Sequence, residues 1–287
     1  MNFKDFYQAN QPRFSFEIFP PKDEAGIGPI FDSLRELASF DPAFISVTYG
    51  AMGSTQDLTR DLAIRIHKEL QLTTAFHFTC VGTDQEHIRD YVTHLKKEGL
   101  NLVVALRGDP PAGATKFEKL KNGFSYANEL VAYLKTIAGL SIAVAGYPEG
   151  HIESPDKKTD LENLKRKVDA GADIVITQLF FNNQHYFDFV DRARKIGIQV
   201  PIIPGIMPIS NLKQIEKITR MCGASLPKDL HQELLDHSNI QDKIQEIGIR
   251  HATHQVQELL DRGAKGIHFY ILNKSYSTRR ILEGVNF

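Results

Sequence analysis

The sequence predicts an α/β protein, a single (β/α)8 barrel of the TIM type with extra helices between strands seven and eight. Short runs of β-branched and aromatic residues recur along the 287 residues, amphipathic stretches separate them, and there are eight such runs. Strands that alternate with helices form either a closed barrel or an open doubly wound sheet. The count of eight and the uniform composition favour the barrel, and we expect one domain over 1–287.

The predicted strands are short and largely apolar, as parallel strands covered on both faces are. In chain order they begin at Phe14 (FSFEIFP), Ala43 (AFISVTYG), Thr73 (TTAFHFTC), Leu100 (LNLVVALRG), Leu140 (LSIAVAGYP), Ala172 (ADIVITQLFF), Val200 (VPIIPGI) and Lys265 (KGIHFYIL).

Amphipathic stretches between the strands predict helices, clearest over 30–40, 85–98 and 160–169. Thr159 and Glu162 predict a capping box at the start of the last of these. The interval between the seventh and eighth strands is long enough for two extra helices, at about 212–221 and 226–260.

Composition excludes several classes of protein. The net charge is −1 with Lys and Arg dispersed, so nothing indicates a nucleic-acid or anionic-membrane partner. Apolar runs such as 102–106 are too short to cross a bilayer, and the first residues lack a secretory pattern. Cys80 and Cys222 are predicted to be reduced thiols of a cytoplasmic protein. No His/Cys/Asp grouping has metal-ligand spacing, and no GxGxxG motif follows a strand.

Polar residues collect where the predicted strands end. In a β/α barrel the carboxyl ends of the strands form the active-site mouth, so we expect these side chains to converge there. They are Glu17, Thr48, Tyr49, His77, Thr79, Arg107, Gly108, Asp109, Tyr147, Glu149, Gln178, Tyr270 and Asn273.

Glu17 stands out because it lies within an apolar strand, where an ionised carboxylate is costly. One interpretation is a structural carboxylate in a salt bridge inside the barrel. The other is a general acid whose pKa is raised so that it stays protonated. His77 and His268 also lie in strands, and each is equally well explained as a core imidazole.

Two further segments have both a structural and a functional interpretation. The run RGDPP at 107–111 is either a turn stiffened by proline or a close approach to a planar ligand, with Asp109 accepting hydrogen bonds from its ring. The polar face of the 160–169 helix is either simply solvated or, together with His151, a diphosphate site.

Eight motifs in order resemble the 5,10-methylenetetrahydrofolate reductase family over about 14–274. They are SFEIFPPK, SVTYGA, ALRGDPP, YPEGH, NLKRKVDAGAD, ITQLFF, PGIMPISN and HFYILN. The resemblance implies a flavin barrel in which NADH or NADPH reduces FAD. Reduced flavin then passes hydride to a reduced folate, 5,10-methylenetetrahydrofolate, by a ping-pong sequence. A homo-oligomer is also implied.

The resemblance assigns roles by motif. Glu17 would protonate folate N10, and Asp109 would bind the pterin beside the flavin with Gln178 as its partner. Gln214 and Lys274 would flank the substrate. The FAD site would comprise Thr48, Tyr49, Ala51, His77, Arg107, Gly108, Asp109, Tyr126, Ala127, Ala145, His151, Asp160, Asn163, Arg166 and Lys167.

Two positions depart from the family pattern. Ile218 stands where bacterial members have a stacking aromatic residue. Lys274 stands where the family has an arginine, and a lysine cannot bind a carboxylate in the bidentate manner of an arginine. The alternatives are another flavin barrel oxidoreductase such as proline dehydrogenase, a Schiff-base aldolase using Lys274, and a pterin-binding protein without catalysis. Glu17 argues against the last of these.

Overall fold

The computed structural model describes residues 2–8, 11–49, 54–108 and 119–287. The described residues form one sheet of nine parallel strands in the order β7-β6-β5-β4-β3-β2-β1-β9-β8. The strands are β1 (Arg13–Ile18), β2 (Phe44–Val47), β3 (Thr74–Thr79), β4 (Leu102–Leu106), β5 (Ser141–Gly146), β6 (Ile174–Thr177), β7 (Ile202–Ile203), β8 (Gly205–Ile206) and β9 (Gly266–Tyr270). The predicted barrel is confirmed.

The seventh predicted strand is divided into β7 and β8, which meet at Pro204. β7 pairs with β6, whereas β8 pairs with β9, so the two halves together close the sheet into a barrel. Proline has no backbone N–H to give to a ladder, which explains why the strand is interrupted there. The carbonyl of Pro204 still accepts from His268 N at 2.9 Å.

Except for the first helix, which precedes β1 and closes the amino end of the barrel, the helices follow the strands around its outside. They are α1 (Phe3–Phe6), α2 (Ile27–Ala38), α3 (Ser54–Glu69), α4 (Gln85–Lys97), α5 (Ala127–Leu134), α6 (Lys157–Asp169), α7 (Asn183–Lys195), α8 (Leu212–Cys222), α9 (Lys228–Asp236), α10 (Gln241–Asp261) and α11 (Tyr276–Glu283). In the described part of the chain, none is both long and apolar enough to span a bilayer.

Two helix predictions were wrong in detail. The stretch 226–260 forms two helices, α9 and α10, so three helices rather than two lie between β8 and β9. The capping box at Thr159 and Glu162 is absent, because α6 begins earlier, at Lys157. The Asp156 carboxylate accepts from Thr159 N at 2.7 Å and so caps the longer helix.

The alternation of side chains along the strands separates two apolar clusters. Outward residues such as Phe14, Phe16 and Ile18 pack under the helices. At the amino end of the barrel the inward residues are apolar, and α1 closes that end with Phe3, whose ring lies 5.0 Å from Phe44. Ser141 is a polar exception at this end, where its hydroxyl accepts from Phe3 N at 3.0 Å.

A third apolar cluster joins the segments that follow β6 and β8 to helices α8, α9 and α10. It includes Phe181, Met207, Ile215, Leu234 and Ile247, all buried. This cluster fixes α8 and its neighbours beside the carboxyl end of the barrel.

Candidate active site

The centre of the mouth is the Glu17 carboxylate, which β1 directs into the barrel. β1 pairs on one side with β2, placing Glu17 opposite Ser46, and on the other with β9, placing it opposite Tyr270. Glu17 Oε2 lies 3.2 Å from Nε2 of both His77 and His268. Ser46 Oγ donates to the same oxygen at 3.4 Å. The structure thus brings a carboxylate between two imidazoles.

These imidazoles determine the charge of Glu17. Burial by itself would raise the pKa of this carboxyl group. The electrostatic interactions with His77 and His268, together with the hydrogen bond to His268, outweigh burial and lower the pKa to about 2. The predicted raised pKa was therefore wrong for this structure. The neighbours of Glu17 along its own strand are apolar, whereas the side chains that contact its carboxylate in space come from β3 and β9.

His268 was not among the predicted site residues. Its ring is fully buried, Nδ1 hydrogen-bonds Ser15 Oγ at 2.8 Å, and Nε2 hydrogen-bonds Glu17 at 3.2 Å. The ring also stacks on Phe44 at 5.8 Å between centroids. A signal existed in the sequence, because closure of the barrel sets β9 beside β1. Ser15 and His268 then occupy paired inward positions.

His77 makes a different kind of contact with Glu17. Its Nε2 is buried and close to the carboxylate, yet it is not aligned with a hydrogen-bond acceptor. The contact is therefore electrostatic, whereas His268 holds Glu17 by a directed bond.

A second group of predicted residues meets between β5 and α6. Lys167 Nζ donates to the Ala145 carbonyl at 2.6 Å and lies 5.8 Å from the centre of the Tyr147 ring. Burial lowers the pKa of Lys167 to about 8, an effect that nearby Asp160 opposes. Burial likewise raises the pKa of Asp160. This cation is held inside the protein and is not part of a solvated helix face.

Arg107 and His151 extend this group toward β4. The Arg107 guanidinium binds both carboxylate oxygens of Glu153, with Nη2 at 2.8 Å from Oε1. His151 Nδ1 accepts from Glu153 N at 3.1 Å, and its ring stands perpendicular to that of Tyr147 at 4.6 Å. Burial lowers the pKa of His151. Five predicted cofactor residues are therefore linked by contacts: Arg107, Ala145, His151, Asp160 and Lys167.

Tyr49 does not present its side chain to the interior. Its ring packs against Phe78 at 4.9 Å and Tyr91 at 5.7 Å, beside α4. Thr48 is held through its backbone, with its N–H on the Ile18 carbonyl at 2.9 Å and its own carbonyl accepting from Thr59 Oγ1 at 3.2 Å.

Gly108 has a specific backbone reason to be glycine. Its φ is +90°, and a Cβ there would lie 2.9 Å from Cβ of Thr79. Tyr126 caps the start of α5 with its side chain 61% exposed, and Ala127 is the first residue of that helix. The close approach at Gly108 is therefore to Thr79.

The remaining predicted residues lie farther out. Asn163 and Arg166 are exposed on α6 and hydrogen-bond each other at 3.2 Å. Half-buried Gln178 accepts from the Leu179 N–H at 2.9 Å. Gln214 and Lys274 are exposed, and Ile218 packs against the α8–α10 cluster. Ala51 and Asp109 lie outside the described residues.

Exposure of Lys274 weakens the aldolase alternative, because a Schiff-base lysine is usually activated by desolvation. Within the described ranges no three His, Cys, Asp or Glu side chains are grouped so as to hold a metal ion.

The donor set at the mouth fits a flavin dinucleotide. Lys167 has a depressed pKa because burial leaves its charge incompletely compensated, and an anionic diphosphate would compensate it. Arg166 adds a second, exposed cation on the same helix.

Together the fold and the site define a β/α-barrel protein with a buried acid–base cluster at the carboxyl end. The chain belongs to the methylenetetrahydrofolate reductase family, whose model matches residues 2–286. It is 38% identical over 290 residues to "Methylenetetrahydrofolate reductase (NADH) 1" of Arabidopsis thaliana, covering 97% of this chain and 49% of that protein. The chain thus spans about half the length of such plant relatives.

Bacterial relatives are closer in length. The chain is 40% identical over 267 residues to 5,10-methylenetetrahydrofolate reductase of Salmonella typhimurium, covering 92% of this chain and 88% of that one. A Clostridium thermocellum structure, described as an uncharacterized protein that binds two copies of 5-methyl-5,6,7,8-tetrahydrofolic acid, aligns with a TM-score of 0.66. It is 16% identical over 98% of this chain and 95% of that chain, which supports the fold alone.

Proposed function

We propose that this chain reduces 5,10-methylenetetrahydrofolate to 5-methyltetrahydrofolate, with NADH or NADPH as reductant and FAD as resident cofactor, in a ping-pong sequence. The observation that carries the proposal is the Glu17–His77–His268 cluster in the mouth of a barrel from this family. A buried, charged cluster of this kind is costly for mere ligand binding and suits proton transfer.

The proton for the reaction starts on the cluster. Opening the five-membered ring of the substrate requires a proton at N10. Because the pKa of Glu17 is about 2, the resting carboxyl group is ionised, so the proton would reach it from its hydrogen-bonded neighbour, His268 Nε2, at 3.2 Å. Glu17 would pass this proton to N10 when the substrate replaces solvent beside it.

Ser15 is the residue that orients the imidazole. Its hydroxyl binds His268 Nδ1 at 2.8 Å, which leaves Nε2 directed at Glu17. A fixed ring keeps the proton on the line between His268 and the carboxylate.

FAD, when bound, supplies hydride transfer between the two substrates. Arg166 and Lys167 would hold its diphosphate, with Asp160 and Asn163 at the adenosine part. Around the ring we assign Thr48, Tyr49, Ala51, His77, Arg107, Gly108, Asp109, Tyr126, Ala127, Ala145 and His151. The assignment is supported by the contacts that link Arg107, Ala145, His151, Asp160 and Lys167.

For the folate, Asp109 and Gln178 would bind the pterin, and Gln214 and Lys274 would flank the rest of the molecule. Ile218 would give an apolar contact in place of aromatic stacking. Within the described ranges the oxygen of the Gln178 amide accepts from Leu179 N and its NH2 group has no hydrogen-bond partner, so that group is available to donate to the pterin. We further propose a cytoplasmic homo-oligomer.

A visible spectrum of the purified protein tests this proposal. We expect flavin absorbance that NADH or NADPH bleaches anaerobically and that methylenetetrahydrofolate restores. A colourless protein that binds folate would support the pterin-binding alternative. A flavin that proline bleaches, and that methylenetetrahydrofolate fails to reoxidise, would support another flavin oxidoreductase.

A further inference from the structure

A groove of about 500 Å³ lies on the outer side of the barrel between α6 and α7. Its walls are the first turns of α6 and a stripe of α7 residues at helical spacing. The lining residues are Pro148, Lys157, Lys158, Leu161, His185, Asp188, Arg192, Lys195 and Ile196. The volume falls within the range of small-molecule sites, which is roughly 300–1,000 Å³.

The charge in this groove is concentrated and mainly positive. Four lining residues carry positive charge and one, Asp188, carries negative charge, whereas the whole chain has a net charge of −1. Among the described residues, Lys157, Lys158 and Lys195 form no salt bridge, and all three are exposed. Uncompensated cations in a concave site raise the local concentration of anions.

The floor of the groove is apolar. Leu161 is buried, Pro148 is buried, and Ile196 is 37% exposed. Arg192 fixes one wall, since its guanidinium donates to the carbonyl of Asp188 at 3.2 Å and to that of Pro148 at 3.4 Å. A ligand with an apolar body and an anionic group would match both features of the site.

The groove shares no lining residue with the set assigned to the flavin on α6, but Asp160 of that set adjoins Leu161 and interacts electrostatically with Arg192. At 3.6 residues per turn, Asn163 lies about 140° from Lys158 and about 160° from Leu161 around the helix. Lys167, the central cation of the assigned flavin site, instead donates to the Ala145 carbonyl in the barrel wall.

We propose that the α6–α7 groove is a second ligand site that binds a nucleotide-sized organic phosphate. Lysine ammonium groups bind phosphate as point charges, and the apolar floor would contact the nucleobase. The Asp156 carboxylate already caps α6, so the phosphate would be held by the side chains of Lys157, Lys158 and Lys195 and not by the helix amides.

Isothermal titration calorimetry with ADP, at low ionic strength and with protein that has been loaded with FAD and freed of excess FAD, tests the proposal. Bound FAD prevents ADP from occupying the flavin site, and removal of free FAD, which itself contains ADP, leaves the groove open. We expect one ADP per chain and tighter binding of ADP than of pyrophosphate, because only ADP uses the apolar floor.

The variants are Lys158→Glu, Lys195→Glu and the double substitution, with Lys97→Glu on α4 as the matched control. Lys97 is also an exposed helical lysine, and it lies outside the groove. The double variant should bind ADP at least tenfold more weakly, and the control should stay within twofold of the unsubstituted protein. Thermal unfolding checks that each variant is folded.

Three results would overturn the proposal. One is the absence of ADP binding at millimolar concentration. Another is equal weakening in Lys97→Glu, which would reveal a general effect of net charge. The third is equal affinity for ADP and pyrophosphate, which would show that the apolar floor does not contribute to binding.

Discussion

Replacement of Glu17 by glutamine tests the acid–base cluster directly. Glu17→Gln keeps the size of the side chain and its capacity to accept a hydrogen bond, but it removes both the negative charge and the capacity to take up a proton and pass it on. The flavin half-reaction with NADH needs no proton at folate N10, so it should proceed at nearly its normal rate. Reduction of methylenetetrahydrofolate should slow by about 10²–10⁴, the usual contribution of a general acid.

The structure also sets the cost in stability. The pKa of Glu17 falls from 4.5 to about 2, a difference of about 2.5 units. At 1.36 kcal/mol per unit, its ionised form contributes on the order of 3 kcal/mol to folding. Because the folded-state pKa is depressed, this contribution is complete above about pH 4.5 and disappears as the pH falls through 2. Glu17→Gln should therefore lower the free energy of unfolding at neutral pH by up to about 3 kcal/mol.

Stopped-flow measurement of the two half-reactions separates catalysis from folding. Glu149→Gln is the matched control, because Glu149 is a similarly buried carboxylate, 14% exposed against 18% for Glu17. It binds Ser225 N at 3.0 Å and has no assigned role in the reaction. Glu149→Gln should lose stability without a selective loss of folate reduction. Equal losses in both half-reactions of Glu17→Gln would refute the assignment and leave Glu17 a structural role.

The other predictions concern the neighbours of Glu17 and the cofactor. His268→Asn removes a hydrogen bond and a positive charge from the surroundings of Glu17, so the pKa of Glu17 should rise. An infrared band of a protonated carboxyl group at pH 5, absent from the unsubstituted protein, would demonstrate the rise. If the variant lacked this band, the proposed role of His268 in the cluster would be contradicted. An anion beside Lys167 should raise the pKa of its amine from about 8. The affinity for FAD should therefore fall as the pH rises from 8 toward 10.5, and FAD binding should be accompanied by proton uptake. An affinity independent of pH would place the diphosphate elsewhere. Arg166→Ala should lower the affinity for FAD about tenfold, which corresponds to the roughly 1.5 kcal/mol of a charge-assisted contact. Full flavin occupancy after gel filtration would show that Arg166 is only solvated.

The structure alters the meaning of several residues that the motifs had already identified. Lys167 was predicted on a polar helix face, and it is in fact half-buried against Ala145. Tyr49 was predicted beside the cofactor, but its ring packs toward α4. Spacing along a helix or strand fixes the angle at which a side chain leaves the backbone, yet a long side chain can turn toward whichever partner the packed structure provides.

The motifs and the periodicity determine the barrel, because alternation of apolar strands and amphipathic helices is a local property of the chain. Ordered motifs also determined the family and the position of Glu17. The environment of Glu17 is not local: Ser46, His77 and His268 come from three other strands, and His268 is 251 positions away along the chain. Only closure of β9 onto β1 brings Nε2 of His268 to 3.2 Å from the Glu17 carboxylate. Electrostatic interactions depend on this distance in space and not on the separation along the chain. For this reason the sequence identified the acid, whereas the tertiary structure decided that it rests ionised between two imidazoles.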